Sequence, residues 1–224
     1  MQLVLAGDRP RPSAPLAVAA IGLVDVALFA ALAALPSGDA ADGVDRFGLV
    51  PREMVRALAH PGLAPSRIGL TPLCSMFLHA GPLHLAGNLV YLWIFGADLE
   101  SRLGHWSFLL FYLACGLAAA ALHVASAPSS WLPTLGASGA ISGLLGAYAA
   151  RDPTRRVRIY WPRGEVPALA FLLVWVVLQL AASLDAWGGG GAVAGFAHLG
   201  GFVAGALLAR GLVPQRPARA RLRS

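Results

Sequence analysis

The 224-residue chain is 57% apolar and only 12% charged, with a mean hydropathy of +0.66, a composition that excludes an ordinary soluble globular domain and indicates a multi-span membrane protein. A net charge of +6 and a pI near 10.3 would suit a nucleic-acid binder, but all 17 basic residues are Arg and 12 of them cluster at the start, in one loop and at the tail. That placement marks the cytoplasmic side of a bilayer, so the partner is the lipid bilayer and not nucleic acid.

After Arg9 and Arg11, the apolar run 14–35 is long for the hydrophobic part of a signal peptide and the right length for a bilayer span, so it reads as an uncleaved first helix. Asp25, near its middle, has to face protein or water rather than lipid. Residues 36–71 form a mixed loop with four acids and four Arg, and within it 51–60 has the amphipathic pattern of a helix lying on the interface.

The second span, 73–97, is apolar with polar punctuation. Gly81-Pro82 is a natural helix start, with proline at the first helical position. His84 and Asn88 then fall four apart on one face. Two polar groups stacked inside a span are costly, which points to function. The stretch 98–104, with Asp98, Glu100, Arg102 and Gly104, reads as a short charged hairpin.

No Asp, Glu, Lys or Arg then occurs until Arg151. The third span, 106–127, carries His123 near its far end. Cys115 within it and Cys74 before it lack ligand spacing and read as small buried hydrophobes. The uncharged connector 128–135 is free to dip below the membrane surface. The fourth span, 135–150, is too short to cross alone, since its roughly 16 residues at about 1.5 Å each reach about 24 Å of a core about 30 Å thick. It opens with Gly136-Ala137-Ser138-Gly139, a serine framed by glycines, and a hydroxyl at such a turn is a candidate nucleophile. Gly139 and Gly143 make a small-xxx-small pattern that lets another helix backbone approach.

A basic loop, 151–165, a fifth span, 166–184, and a glycine-rich connector lead to the sixth span, 188–209. There His198, Gly201 and Gly205 share one stripe suited to close contact. No tandem repeat is evident. The chain therefore reads as an all-α, polytopic bundle of six transmembrane helices over 14–209, between a cytoplasmic N-terminal segment, 1–13, and a basic cytoplasmic tail, 210–224. In that topology 13 Arg lie inside and four outside, which places both termini in the cytoplasm of a multi-pass protein of the inner (plasma) membrane.

Orientation makes depth comparable between spans. Counted back from the cytoplasmic ends of spans two, four and six at about 1.5 Å per residue, Ser138 lies about 18 Å deep, His198 about 16 Å, His84 about 20 Å and Asn88 about 14 Å. Four polar groups from three helices thus meet at one level. A serine hydroxyl needs a base, and the neutral imidazole of His198 suits the task. The Asn88 amide, a His84 N–H and the Ser138 backbone N–H are available as oxyanion donors. With no Asp or Glu in spans two to six, a Ser/His dyad is expected rather than a triad. His79, His84 and His198 could ligate zinc in principle, but H-E-x-x-H is absent and no acidic ligand is near, so no metal or other cofactor is expected. A channel, transporter or client-binding scaffold is the alternative outside enzymology, and there Ser138→Ala would leave function intact.

At these residues the chain resembles a bacterial rhomboid, of the family of intramembrane serine proteases. The family's G-x-S-G is Gly136-Ala137-Ser138-Gly139, its H-x-x-x-N is His84 to Asn88, and its A-H-x-x-G is Ala197-His198-Leu199-Gly200-Gly201. Its E-x-R-L-G is similar to Glu100-Ser101-Arg102-Leu103-Gly104. The resemblance implies a six-helix bundle with a water-filled cavity open to the extracytoplasmic side, Ser138 as nucleophile, His198 as base, and His84 and Asn88 at the oxyanion. It also implies that substrates are other transmembrane helices, entering near spans two and five and cut near their outer ends. Some members carry an aromatic residue four positions after the nucleophile to support the catalytic histidine, where this chain has Ser142. The first loop also lacks a Trp-Arg pair.

Overall fold

The protein's helices run alternately up and down one bundle in the computed structural model, which describes residues 3–5, 14–60, 62, 65–160, 163–185 and 194–214. A short strand β1 (Leu3–Leu5) precedes α1 (Leu16–Ala33). The first loop then folds into α2 (Ser37–Phe47), α3 (Pro51–Ala59) and α4 (Pro65–Cys74), followed by the single 3₁₀ turn Ser75–Phe77. Helix α5 (Pro82–Tyr91) passes through a π-helical turn, Leu92–Gly96, into α6 (Ala97–Leu103). Next come α7 (His105–Ser126) and α8 (Ser138–Arg151), the strands β2 (Arg156–Tyr160) and β3 (Arg163–Pro167), and α9 (Ala168–Asp185) and α10 (Ala194–Leu212). Among the described residues, Leu16–Ala33, His105–Ser126 and Gly195–Leu212 are long and apolar enough to cross a membrane. The outer surface is apolar, with Leu23, Leu110, Val177 and Leu207 all at least 60% exposed, as lipid-facing side chains would be.

Two sequence expectations change. The second crossing does not start at residue 73. Its helix begins at Pro82, after an extended stretch, because Gly81 adopts φ −178° and proline follows at the first helical position. Nor is 98–104 a charged hairpin: the helix runs on through α6 to Leu103, and the chain turns at Gly104 alone, with φ +78°. The charges in 98–104 do not force an exit because each is paired. Glu100 accepts hydrogen bonds from the backbone N–H groups of Ala17 (2.8 Å) and Val18 (2.9 Å), capping α1, whose own N-cap residue, Pro15, makes no side-chain cap. Asp98 accepts from the Tyr148 hydroxyl and lies 3.5 Å from Arg155, while Arg102 bridges Asp152 and the carbonyl of Pro214. Residues 188–193 of the expected sixth span, and most of the expected terminal segments, lie outside the described residues.

These contacts gather the start of α1 and the ends of α6, α8 and α10 at one pole of the bundle. The stretch read as a basic loop holds a β-hairpin there, and β1 pairs antiparallel with β2, Val4 opposite Arg158. Ala168 at the start of α9 donates to the Arg155 carbonyl at 2.6 Å, which ties the fifth helix to the same pole. Six passes of alternating direction follow.

The core lies where α7, α8 and α10 meet, and glycine sets their spacing. A Cβ on Gly201 would run into the Gly139 carbonyl, one on Gly205 into the Gly143 backbone, and one on Gly146 into the Phe202 carbonyl. Gly139 would meet Ala119 of α7 at 2.7 Å and Gly200 the Ala118 carbonyl at 2.9 Å. No other residue permits such approach, and in lipid the resulting van der Waals contact is the main attraction between helices. Phe95, Phe108, Phe111 and Tyr112 fill the volume toward the charged pole.

Candidate active site

Ser138 is the first residue of α8, and the preceding connector holds it from both sides. The Gly136 N–H donates to the Ser75 carbonyl at 2.8 Å, and Thr134 and Leu49 exchange backbone hydrogen bonds at 2.9 and 3.2 Å. The connector 128–135 is thereby pinned to the first loop, aided by Arg52, whose N–H donates to the Ser130 carbonyl at 3.0 Å and whose guanidinium lies over the Trp131 ring. At the first turn of a helix the backbone N–H groups have no intrahelical acceptor, so Ser138 sits beside donors and the positive end of the dipole.

The close crossing of α8 and α10 brings His198 to this point. Its Nε2 lies 2.8 Å from Ser138 Oγ, and both residues are only 8% exposed. With the serine O–H donating, Nε2 is the acceptor and the proton sits on Nδ1. That Nδ1 is buried and has no hydrogen-bond partner among the described residues. Across the site, α5 supplies the other pair. Gly136 has φ +118°, and a Cβ built there would stand 2.7 Å from His84 Cε1 and 3.6 Å from Asn88 Nδ2. Gly136 therefore serves twice, taking a backbone conformation that side chains resist and leaving room for the two α5 side chains. Asn88 Nδ2 is buried with no partner among the described residues, a donor left available.

A cavity of about 370 Å³ opens onto the pair, its lining including Ser138, His198, His84, Met76, His123 and Thr134. The structure thus brings Ser138, His198, His84 and Asn88 together. His79 packs edge to face on His84, ring centroids 5.3 Å apart. Among the described residues no group of three or more His, Cys, Asp or Glu is placed to hold a metal ion. Asp25 is fully buried and is not among the residues lining this cavity.

Three features escape the sequence. His123 hydrogen-bonds to Thr134. Ser142 is fully buried with its hydroxyl donating to the Ser138 carbonyl at 2.5 Å. Trp175 of α9 meets the His198 ring edge to face, with centroids 5.1 Å apart and planes at 76°. Phe171 and Trp175, four apart on one face of an otherwise largely aliphatic span, were the available signal for the last.

A serine hydroxyl against an imidazole, with an unpaired amide donor beside them among the described residues, is an arrangement that could serve acyl-transfer chemistry. The rhomboid domain family matches residues 70–215, which contain all four side chains. The chain belongs to the rhomboid family. It is 35% identical over 133 residues to the RHOMBOID-like protein 6, mitochondrial, of Arabidopsis thaliana, covering 59% of this chain and 40% of that one. It is 46% identical over 78 residues to the Rhomboid protease GluP of Bacillus subtilis, 35% of this chain and 14% of that one. With the Rhomboid-like protease 3 of Toxoplasma gondii it shares 33% over 141 residues, 62% and 49% of the two chains. This rhomboid chain matches less than half of the length of each of these three relatives. They come from bacteria and eukaryotes alike and do not single out the bacterial type.

Proposed function

We propose that this rhomboid chain is an intramembrane serine endopeptidase of the bacterial type, cutting transmembrane helices of other membrane proteins near their extracytoplasmic ends from a place in the plasma membrane. The observation that carries the reading is the 2.8 Å contact between Ser138 Oγ and His198 Nε2 beside the open Asn88 amide. Ser138 Oγ attacks the scissile carbonyl carbon as its proton passes to His198 Nε2. The carbonyl oxygen becomes an oxyanion that accepts hydrogen bonds from Asn88, His84 and the Ser138 N–H. Collapse breaks the C–N bond, His198 returns its proton to the leaving amine, and an acyl-Ser138 ester remains. Water from the cavity then attacks the ester, giving its proton to His198, and release of the acid restores the serine. With Nδ1 unpartnered among the described residues, the proposed catalytic set is a dyad.

The test is labelling of the detergent-solubilised full chain with a fluorophosphonate. Labelling is expected at Ser138 and nowhere else, and Ser138→Ala or His198→Ala should abolish both labelling and cleavage of a model transmembrane substrate. Labelling that survives Ser138→Ala overturns the assignment, and loss of cleavage on chelation points to a metal instead.

A further inference from the structure

We propose that Trp175 is a positioning residue for His198, holding the ring of the base from the fifth helix in place of an aromatic residue at Ser142. The inference rests on the dyad reading and deepens it. An imidazole that accepts the serine proton on Nε2 is ordinarily oriented by an acceptor at Nδ1, but His198 Nδ1 finds none among the described residues. Ser142 does not fill the gap. It is fully buried, its hydroxyl is engaged by the Ser138 carbonyl, and it carries no ring to set against the imidazole.

Trp175 is built for the contact. It is 8% exposed on a helix whose neighbouring Leu173, Val174 and Val177 are 56%, 54% and 61% exposed, so it is turned inward where α9 otherwise faces outward. Phe171 lies one turn before it on the same face. Its carbonyl accepts from the Tyr91 hydroxyl at 3.0 Å and its ring meets Phe95 at 6.3 Å. One turn of α9 thus grips α5 while the next holds the base, so the orientation of His198 follows the seating of α9. The indole leaves the imidazole nitrogens free for proton transfer and restricts tilt of the ring, which a hydrogen bond at Nδ1 would otherwise do.

Two measurements on the full chain in detergent decide it. The first is the rate at which a small fluorophosphonate labels Ser138, since such a probe needs no entry of a helix past α9. Trp175→Leu should lower this rate about tenfold, the scale of one aromatic pair, when measured well below the variant's own thermal midpoint, and Trp175→Phe should restore it to within about threefold. Trp175→Met replaces the leucine variant should that one not fold. The second is NMR of histidine-labelled Ser138→Ala protein, in which the serine contact is gone. His198 should show one sharp set of ring signals with Trp175 and broadened or doubled signals with Trp175→Leu. Labelling of the leucine variant at the wild-type rate, or His198 signals that ignore the substitution, overturns the proposal. An unaltered chain that does not label defeats the protease reading, while the NMR comparison still decides the role of Trp175.

Discussion

Ser138 and His198 make the reaction chemically conceivable, but the rate they reach depends on what meets the oxyanion. Asn88 Nδ2 is buried and unpaired among the described residues, so the desolvation of this donor is already complete before substrate arrives. A donor in that state binds the developing charge more strongly than the neutral carbonyl, so its removal should lower turnover more than binding. Asn88→Ala and His84→Ala are each expected to cost up to about 3 kcal/mol in kcat, with KM nearly constant, in steady-state cleavage of a transmembrane substrate. Equal losses in kcat and KM would contradict the role. Gly136→Ala should be at least as damaging as either, although it deletes nothing. Its φ of +118° resists a side chain, and the new methyl would stand 2.7 Å from His84 Cε1, pushing aside the ring that Asn88 flanks. The same assay checks it.

At the scale of helices, the 2.8 Å serine–histidine contact is a consequence of two backbones meeting through glycine. Gly201→Ala places a methyl against the Gly139 carbonyl, one helical turn from His198. We expect it to destabilise the protein by about 3 kcal/mol and to abolish fluorophosphonate labelling even where the chain still folds, because the helices must separate before the methyl fits. Gly211→Ala near the end of the same helix meets nothing within 4 Å, and should leave labelling intact and add up to about 1 kcal/mol through helix propensity. Thermal unfolding in detergent with parallel labelling separates the two. These glycines were legible in the sequence because small residues at fixed spacing in an apolar run have one main use. The helical path of 98–104 was not, because beside the local pairs Glu100–His105 and Asp98–Arg102 these charges are satisfied by Ala17, Val18, Tyr148 and Asp152, 50 or more positions away, of which local sequence carries no trace. Trp175 was hidden for the same reason, its partner lying on another helix.

For the molecule as a whole, the paired charges at one pole do the work that a hydrophobic effect cannot do inside lipid. Glu100→Ala would strip the N-terminus of α1 of its cap and leave His105 without its carboxylate partner, so a loss of about 3 kcal/mol is expected in detergent unfolding, with labelling at Ser138 retained below the midpoint. This pole also fixes the sidedness of the fold. Strand β1 pairs with β2, and Arg102 reaches Pro214 beyond α10, so the N-terminal strand, the basic hairpin and the end of the sixth helix lie on one side whatever the orientation in a bilayer. The connector 128–135 and α3 lie at the opposite pole, where the cavity gathers Ser138, His198 and Thr134. The contacts give a relative arrangement, and its sign in the bilayer belongs to the proposed topology, in which 13 Arg fall in cytoplasmic segments of the sequence and four outside, so that the first side would face the cytoplasm. A fluorescent protein fused at residue 224 should therefore fluoresce in bacteria, while alkaline phosphatase fused after Ser130 should be active and the same enzyme fused after Asp152 inactive. The reverse pattern would point the Ser138 end of the bundle at the cytoplasm, and cleavage would then have to occur near the cytoplasmic ends of its substrates.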